Sequence, residues 1–177
     1  RDRDIILSTS KGNCVRFSTD DVRVFTGRTS MGVRGIRLQN NDRIISASIL
    51  NSIDINTDER EEYLKYSSSV RRKEKRKVSI EKDRLTNLTD KEEFLLSVTE
   101  NGYGKRSSSY EYRKTRRGGQ GILNIETSER NGGVVASFPV ADEEEVMLVT
   151  NKGKLIRLPV NGIRIAGRAT QGVTLLN

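Results

Sequence analysis

Short apolar runs separated by turn residues recur along the chain in one frame. Ile5-Ile6-Leu7, Phe94-Leu95-Leu96 and Val146-Met147-Leu148 each lead to a threonine: Thr9, Thr99 or Thr150. A glycine follows three residues later (Gly12, Gly102, Gly153) and an arginine four residues after that (Arg16, Arg106, Arg157). Runs this short, bounded by Gly, Asn and Ser, predict strands rather than helices. A second element comes next, Arg-x-x-x-Gly and then a branched aliphatic: Arg28 to Gly32-Val33, Arg117 to Gly121-Ile122, Arg168 to Gly172-Val173. Its last glycine lies 20, 19 and 19 residues beyond the turn glycine. Self-similarity at a fixed period marks a repeat architecture. From Gly121 to Gly172 is 51 residues and from Gly32 to Gly121 is 89, so an insertion of 38 sits in the first linker.

Each unit is expected to form a four-stranded antiparallel meander. Strand one is Ile5–Thr9, Leu95–Thr99 or Val146–Thr150; strand two is Cys14–Phe17 or Leu155–Leu158, after a Gly-containing hairpin turn. Strand three is Val33–Leu38, Ile122–Ile125 or Val173–Leu176, and strand four is Ile44–Leu50 or Val134–Val140. Pro139, late in a strand, suits a sheet edge because it cannot donate to a ladder. The expected fold is all-β, a propeller-like array of four-stranded blades forming an incomplete ring. Its parts are a blade at 1–50, a charged insertion at 51–92, a blade at 93–141 and a blade at 142–177 lacking its last strand. A chain that starts Arg1-Asp2-Arg3-Asp4 and stops at Asn177 before a fourth strand reads as a piece of something longer, or as one whose last blade a neighbouring segment completes.

The insertion breaks the pattern. Ile53–Asn56 suits a strand end, Asp58–Lys65 a helix with early acids, and Ser67-Ser68-Ser69 a linker. Arg71-Arg72-Lys73-Glu74-Lys75-Arg76-Lys77 is a basic run. The expectation is a solvated, partly disordered segment, with a localisation signal or an auxiliary DNA arm as alternatives.

Composition narrows the function. The chain is 33% hydrophobic, 32% charged and without Trp, lean for one large core and suited to small repeated units. The net charge of +8 favours a polyanionic partner, nucleic acid or an anionic membrane surface. No apolar run approaches the roughly 18 residues of a membrane span. One Cys, Cys14, excludes an internal disulfide and a Cys-based zinc site and fits a reducing compartment. The absence of His removes Ser-His-Asp triads, His-ligated metals and the commonest general base. Gly104-Lys105-Arg106-Ser107 falls short of a nucleotide-binding loop, because Thr99 stands where that motif needs glycine. Asp142-Glu143-Glu144-Glu145 sits on consecutive positions that cannot all converge on one metal.

The binding chemistry lies in the basic positions. Arg116-Arg117-Gly118-Gly119-Gln120-Gly121 joins two guanidinium forks to three glycines, a phosphate-contacting combination. Arg16, Arg106 and Arg157 close strand two; Arg28, Arg117 and Arg168 open the basic loop. Arg34 and Arg37 lie on either side of Ile36 in the strand-three segment. Lys105, Arg113, Lys114 and Arg116 crowd the middle unit. If the units fan around an axis, these twelve residues form a curved stripe that contacts duplex DNA through phosphates. The alternative is ordinary surface charge, with Arg28, Arg117 and Arg168 bonding carbonyls within the blade. Tyr103, Tyr110 and Tyr112 are too few for base stacking and suit packing instead. No recognition helix or zinc module is visible, so binding is expected to be largely independent of base sequence.

These residues resemble a known family. Phe94 to Arg106 (FLLSVTENGYGKR) is similar to a blade of the C-terminal domain of the bacterial DNA gyrase A protein, as are Ser128 to Val140, Val33 to Leu38 and Gly167 to Leu176. The resemblance covers 1–50 and 93–177. It implies a β-pinwheel that wraps duplex DNA and supports ATP-dependent negative supercoiling by a type IIA topoisomerase. The implied partners are the rest of the gyrase A protein and the gyrase B protein, in the bacterial cytoplasm at the nucleoid. It also implies that catalysis, ATP and Mg²⁺ belong to other parts of the holoenzyme, leaving no cofactor and no catalytic residue here. The family's QRRGGKG box resembles Thr115 to Gly121, with Thr115 and Gln120 where the box has Gln and Lys. The equivalent domain of topoisomerase IV and a propeller-like protein-interaction platform are the alternatives.

Overall fold

The computed structural model describes residues 3–176; Arg1, Asp2 and Asn177, the ends on which the reading of a cut chain rests, lie outside the described residues. The first apolar runs form β1 (Arg3–Thr9) and β2 (Asn13–Ser18), an antiparallel hairpin with Ile6 opposite Arg16. Strand β3 (Ile44–Asn51) pairs with the other side of β1. The second unit repeats this with β4 (Phe94–Thr99), β5 (Tyr103–Ser108), the short β6 (Ile122–Leu123) and β7 (Val134–Val140). The third contributes β8 (Glu145–Val149), β9 (Leu155–Pro159) and the short β10 (Val173–Thr174).

The sheets do not follow the unit boundaries expected of a simple meander. Their strand orders are β3-β1-β2-β6, β10-β5-β4-β7 and β8-β9. Thus β6, from the second unit, closes the first blade by pairing Asn13 with Leu123 and Cys14 with Ile122. In the same way β10, from the third unit, pairs with β5 through Val173–Gly104 and Thr174–Tyr103. Each of these two blades therefore takes its outer strand from the following unit. The expected strand Val33–Leu38 forms no ladder; it lies as a loop on its own blade, with Ile36 packed against Val15 and Phe17. Pro139 does fall on an edge strand, β7.

The exchange explains the repeated glycines. Gly12 and Gly102 have φ of +82° and +77°, which favours glycine. A Cβ at either would lie 2.3 Å from a carbonyl oxygen, of Ile125 or Leu176, just beyond the strand arriving from the next unit. Gly153, the third copy, has nothing within 4 Å.

The core runs through the blade junctions. Ile6, Cys14, Leu50, Leu95 and Tyr112 cluster between the first two blades, and Leu96, Val98, Val146, Val160 and Ile163 between the second and third. A buried polar knot sits at the first junction. Tyr112 donates to Asn124 Oδ1 at 2.7 Å, and Asn124 Nδ2 donates to Ser97 at 3.0 Å and Ser137 at 3.3 Å.

The insertion is an ordered helical hairpin, which corrects the expectation of a solvated, partly disordered segment. Helix α1 spans Thr57–Arg71, taking in the serines read as a linker, and α2 spans Lys82–Lys91. Asn56 caps α1 by accepting from the Glu59 N–H at 2.9 Å, and Asp58 and Glu59 complement the helix dipole. Tyr63, Leu88 and Ile53 pack with Tyr110 of the second blade, the two rings meeting edge to face at 5.2 Å. Arg84 pairs with Glu59 at 2.6 Å across the hairpin.

Candidate nucleic-acid interface

Strands β3 and β7 lie side by side, so β6 and β10 mark the far edges of their blades. The basic loops that lead into β6 and β10 are therefore peripheral. The loop 113–121 leaves a short 3-10 turn, Ser109–Glu111, and runs beside β2 before entering β6. Thr115 N–H donates to Arg16 O at 2.8 Å, and Arg37 N–H donates to Gly119 O at 2.8 Å. The second contact brings the 33–38 segment of the first unit against the Arg116–Gly121 loop of the second.

Of the twelve basic residues, six are exposed at this periphery or in the segments feeding it: Arg28, Arg34, Arg37, Arg113, Lys114 and Arg116. Arg34, Arg37 and Arg116 are brought together by the pairing of 33–38 with the loop. Arg113, Lys114 and Arg116 line an adjoining cleft. Lys114 is anchored there, donating to Ser52 Oγ at 2.9 Å and lying 3.6 Å from Asp4.

The other six are engaged within the protein. Arg16 is 5% exposed; its guanidinium pairs with buried Asp4 at 2.9 Å and donates to the carbonyls of Ser109 (2.8 Å) and Asn51 (2.9 Å). Arg106, 4% exposed, does the same one blade on, pairing with Asp142 and donating to Ile163 O (2.9 Å) and Asn161 O (3.2 Å). Their expected place on a DNA-facing stripe is corrected: each fork is saturated inside a blade junction. Lys105 is corrected too. It is 1% exposed and donates to the Gly167 and Arg168 carbonyls. Burial pushes its ammonium down to about 7, Arg168 adding to the effect and Glu111 opposing it.

Arg117 and Arg168 act as clasps. Arg117 donates to Asp21 O at 2.9 Å and Arg34 O at 3.2 Å, and Arg168 to Leu123 O at 2.6 Å. This realises the carbonyl-bonding alternative, except that the carbonyls belong to a neighbouring unit. Arg157, exposed, pairs with Glu145. Sequence reasoning missed Arg164, exposed in the third unit's loop, and Arg130, stacked 4.1 Å over the Tyr103 ring. Arg164 is the third unit's counterpart of Arg113, 51 residues on, so the repeat spacing did mark it; Arg130 has no arginine at the matching position of the first unit, where Asn41 stands.

The described residues hold no group of three or more His, Cys, Asp or Glu able to bind a metal ion, and no helix long and apolar enough to cross a membrane. Cys14 is fully buried, and desolvation pushes its thiol up to about 12.

Four-stranded antiparallel blades that trade outer strands with the next unit in an open array define a β-pinwheel domain. More particularly, the chain belongs to the family of DNA gyrase C-terminal domains. The family model described as "DNA gyrase C-terminal domain, beta-propeller" matches residues 3–51, 93–141 and 144–177, with the helical hairpin outside it. The chain is 45% identical to the DNA gyrase A protein of Granulibacter bethesdensis over 97% of its length, and 43% identical to that of Rickettsia bellii over 98%. It spans about a fifth of the length of these curated relatives, 21% and 20%. Its fold is similar to that of the C-terminal domain of DNA topoisomerase IV, with a TM-score of 0.71 and 19% identity over 99% of this chain and 42% of that one. The E. coli ParC C-terminal domain superposes with a TM-score of 0.60 at 13% identity, over 99% of this chain and 54% of that one.

Proposed function

We propose that this chain is a non-catalytic module of a DNA gyrase A protein that binds duplex DNA and wraps it around its basic periphery. The observation that carries this reading is the convergence of Arg34, Arg37 and Arg116, all exposed, at the outer edge of the first blade. Guanidiniums held on a rigid outer edge contact phosphate oxygens without entering a groove, so affinity is largely independent of base sequence. The clasps of Arg117 and Arg168 fix the loops in advance, which lowers the ordering cost of binding. In the holoenzyme, wrapping would supply the handed DNA segment that ATP-driven strand passage converts into negative supercoils. The rest of the gyrase A protein, the gyrase B protein, ATP and Mg²⁺ belong to that assembly, in the bacterial cytoplasm at the nucleoid.

The test has two readouts. Arg34→Gln/Arg37→Gln/Arg116→Gln should weaken duplex binding equally across sequences. It should also lower the slope of log affinity against log salt by up to about 3 units, roughly 0.9 per lost phosphate contact. A closed circle relaxed with the unaltered protein bound should trap writhe. Salt-independent binding would sink the reading; salt-dependent binding with no trapped writhe would leave DNA binding and remove wrapping.

A further inference from the structure

The basic run Arg71–Lys77 is a strongly charged feature that the proposed periphery does not absorb, and the structure gives it a definite place. Near its N-terminal end α1 shares a cleft with the second unit's basic loop, where Arg60 lines the same walls as Arg113, Lys114 and Arg116. Near its C-terminal end Arg71 and Arg72 share a cleft with Arg164 and Gly167 of the third unit's loop. At 15 residues the helix is about 22 Å long, or some six base pairs of duplex. It therefore spans from one basic loop to the next.

The turn beyond it is built rather than loose. Lys73 takes a φ of +60°, and the Arg72, Lys73 and Glu74 amides bond back to carbonyls of the last helical turn. The hairpin is held to the second blade by Tyr63, Leu88 and Tyr110, so the turn has a fixed position relative to Arg164. Six of the seven residues Arg71–Lys77 are cationic and all seven are exposed. One or two cations suffice to complement a helix C-terminus. Within the run Arg72 pairs with Glu74 at 3.1 Å, both exposed, a contact that contributes little. The surplus charge calls for a polyanion.

We propose that the helical hairpin is an accessory DNA arm. Its basic turn, with Arg164 across the cleft, takes the phosphate backbone of duplex DNA carried past the third unit's loop, and so lengthens the bound segment. The inference rests on the DNA-binding function proposed above.

The experiment uses the full-length protein and linear duplex DNA. Lys73→Gln/Lys75→Gln/Arg76→Gln/Lys77→Gln is compared with the parent and with Arg34→Gln/Arg37→Gln/Arg116→Gln. The readouts are the salt slope of affinity and the length of DNA protected from nuclease. The turn variant is expected to lower the slope by about 2–4 units and to shorten the protected segment. The milder Lys75→Gln/Lys77→Gln, beyond the helix cap, should show a smaller shift of the same sign and guards against a folding artefact. If only the peripheral variant lowers the slope, the arm is overturned and the proposed function stands. If only the turn variants do, the arm stands and the peripheral site falls. If none does, both readings fall.

Discussion

At the residue scale, one sequence position has two fates. Arg16 and Arg106 lie in strand two of their units and are buried, whereas Arg157, the third copy, is exposed and pairs with Glu145. The difference is whether the next unit's 3-10 turn offers carbonyls: Ser109 for Arg16, Asn161 and Ile163 for Arg106. Arg16→Ala would leave buried Asp4 with only the longer contact to Lys114, and should cost up to about 3 kcal/mol in denaturant unfolding. It should leave the salt slope of DNA binding unchanged, since Arg16 cannot reach a phosphate. Lys105 yields a pH prediction. Its folded value near 7 lies below the ordinary lysine value of 10.5, so between these the unfolded chain holds a proton that the folded chain lacks. Stability should therefore rise with pH across that window, by up to about 1.4 kcal/mol per unit, and lie on its lower plateau below pH 7. Lys105→Met should remove this rise when urea unfolding is compared at pH values about one-half above the folded value and about one below the unfolded value.

At the element scale, the hairpin turns carry the argument. Gly12 and Gly153 share a repeat position and nearly the same φ, +82° and +78°. Only Gly12 of the two faces chain from the next unit, with Ile125 O, just after β6, at 2.3 Å from a built Cβ. Gly153→Ala should cost about 1–2 kcal/mol for the left-handed backbone alone. Gly12→Ala should cost about 2 kcal/mol more, because a backbone carbonyl must move; thermal unfolding of the two variants checks the difference. The helical hairpin was half legible. Asn56 and the acids after it mark an N-terminus, but Ile53, Tyr63 and Leu88 are too scattered to give a clear apolar face. Their partner, Tyr110, lies in another unit and only folding brings it near.

At the scale of the whole molecule, strand exchange ties the units into one object. β6 closes the first blade while its chain continues into β7 of the second, and the Tyr112–Asn124 knot is buried between them. The first two blades should therefore unfold in one transition, with calorimetric and van't Hoff enthalpies equal. Two separated transitions would show that the junction does not couple them. The same exchange places the 33–38 segment and the 113–121 loop on one edge, which is why basic residues from two units converge there.

Apart from Val33–Leu38, which forms no strand, the strands, the three-fold repeat, the insertion and the excess of positive charge were all present in the sequence, because each depends on local periodicity, turn chemistry or a plain count. Which blade a strand joins was not, since β6 and β10 carry the same apolar pattern whichever neighbour they pair with. Nor was the division of the arginines: a guanidinium that saturates buried carbonyls and one that faces solvent are the same letter at the same spacing. Burial separates Arg16 and Arg106 from Arg34, Arg37 and Arg116, and burial is set by the neighbouring unit, which the tertiary structure alone brings into contact.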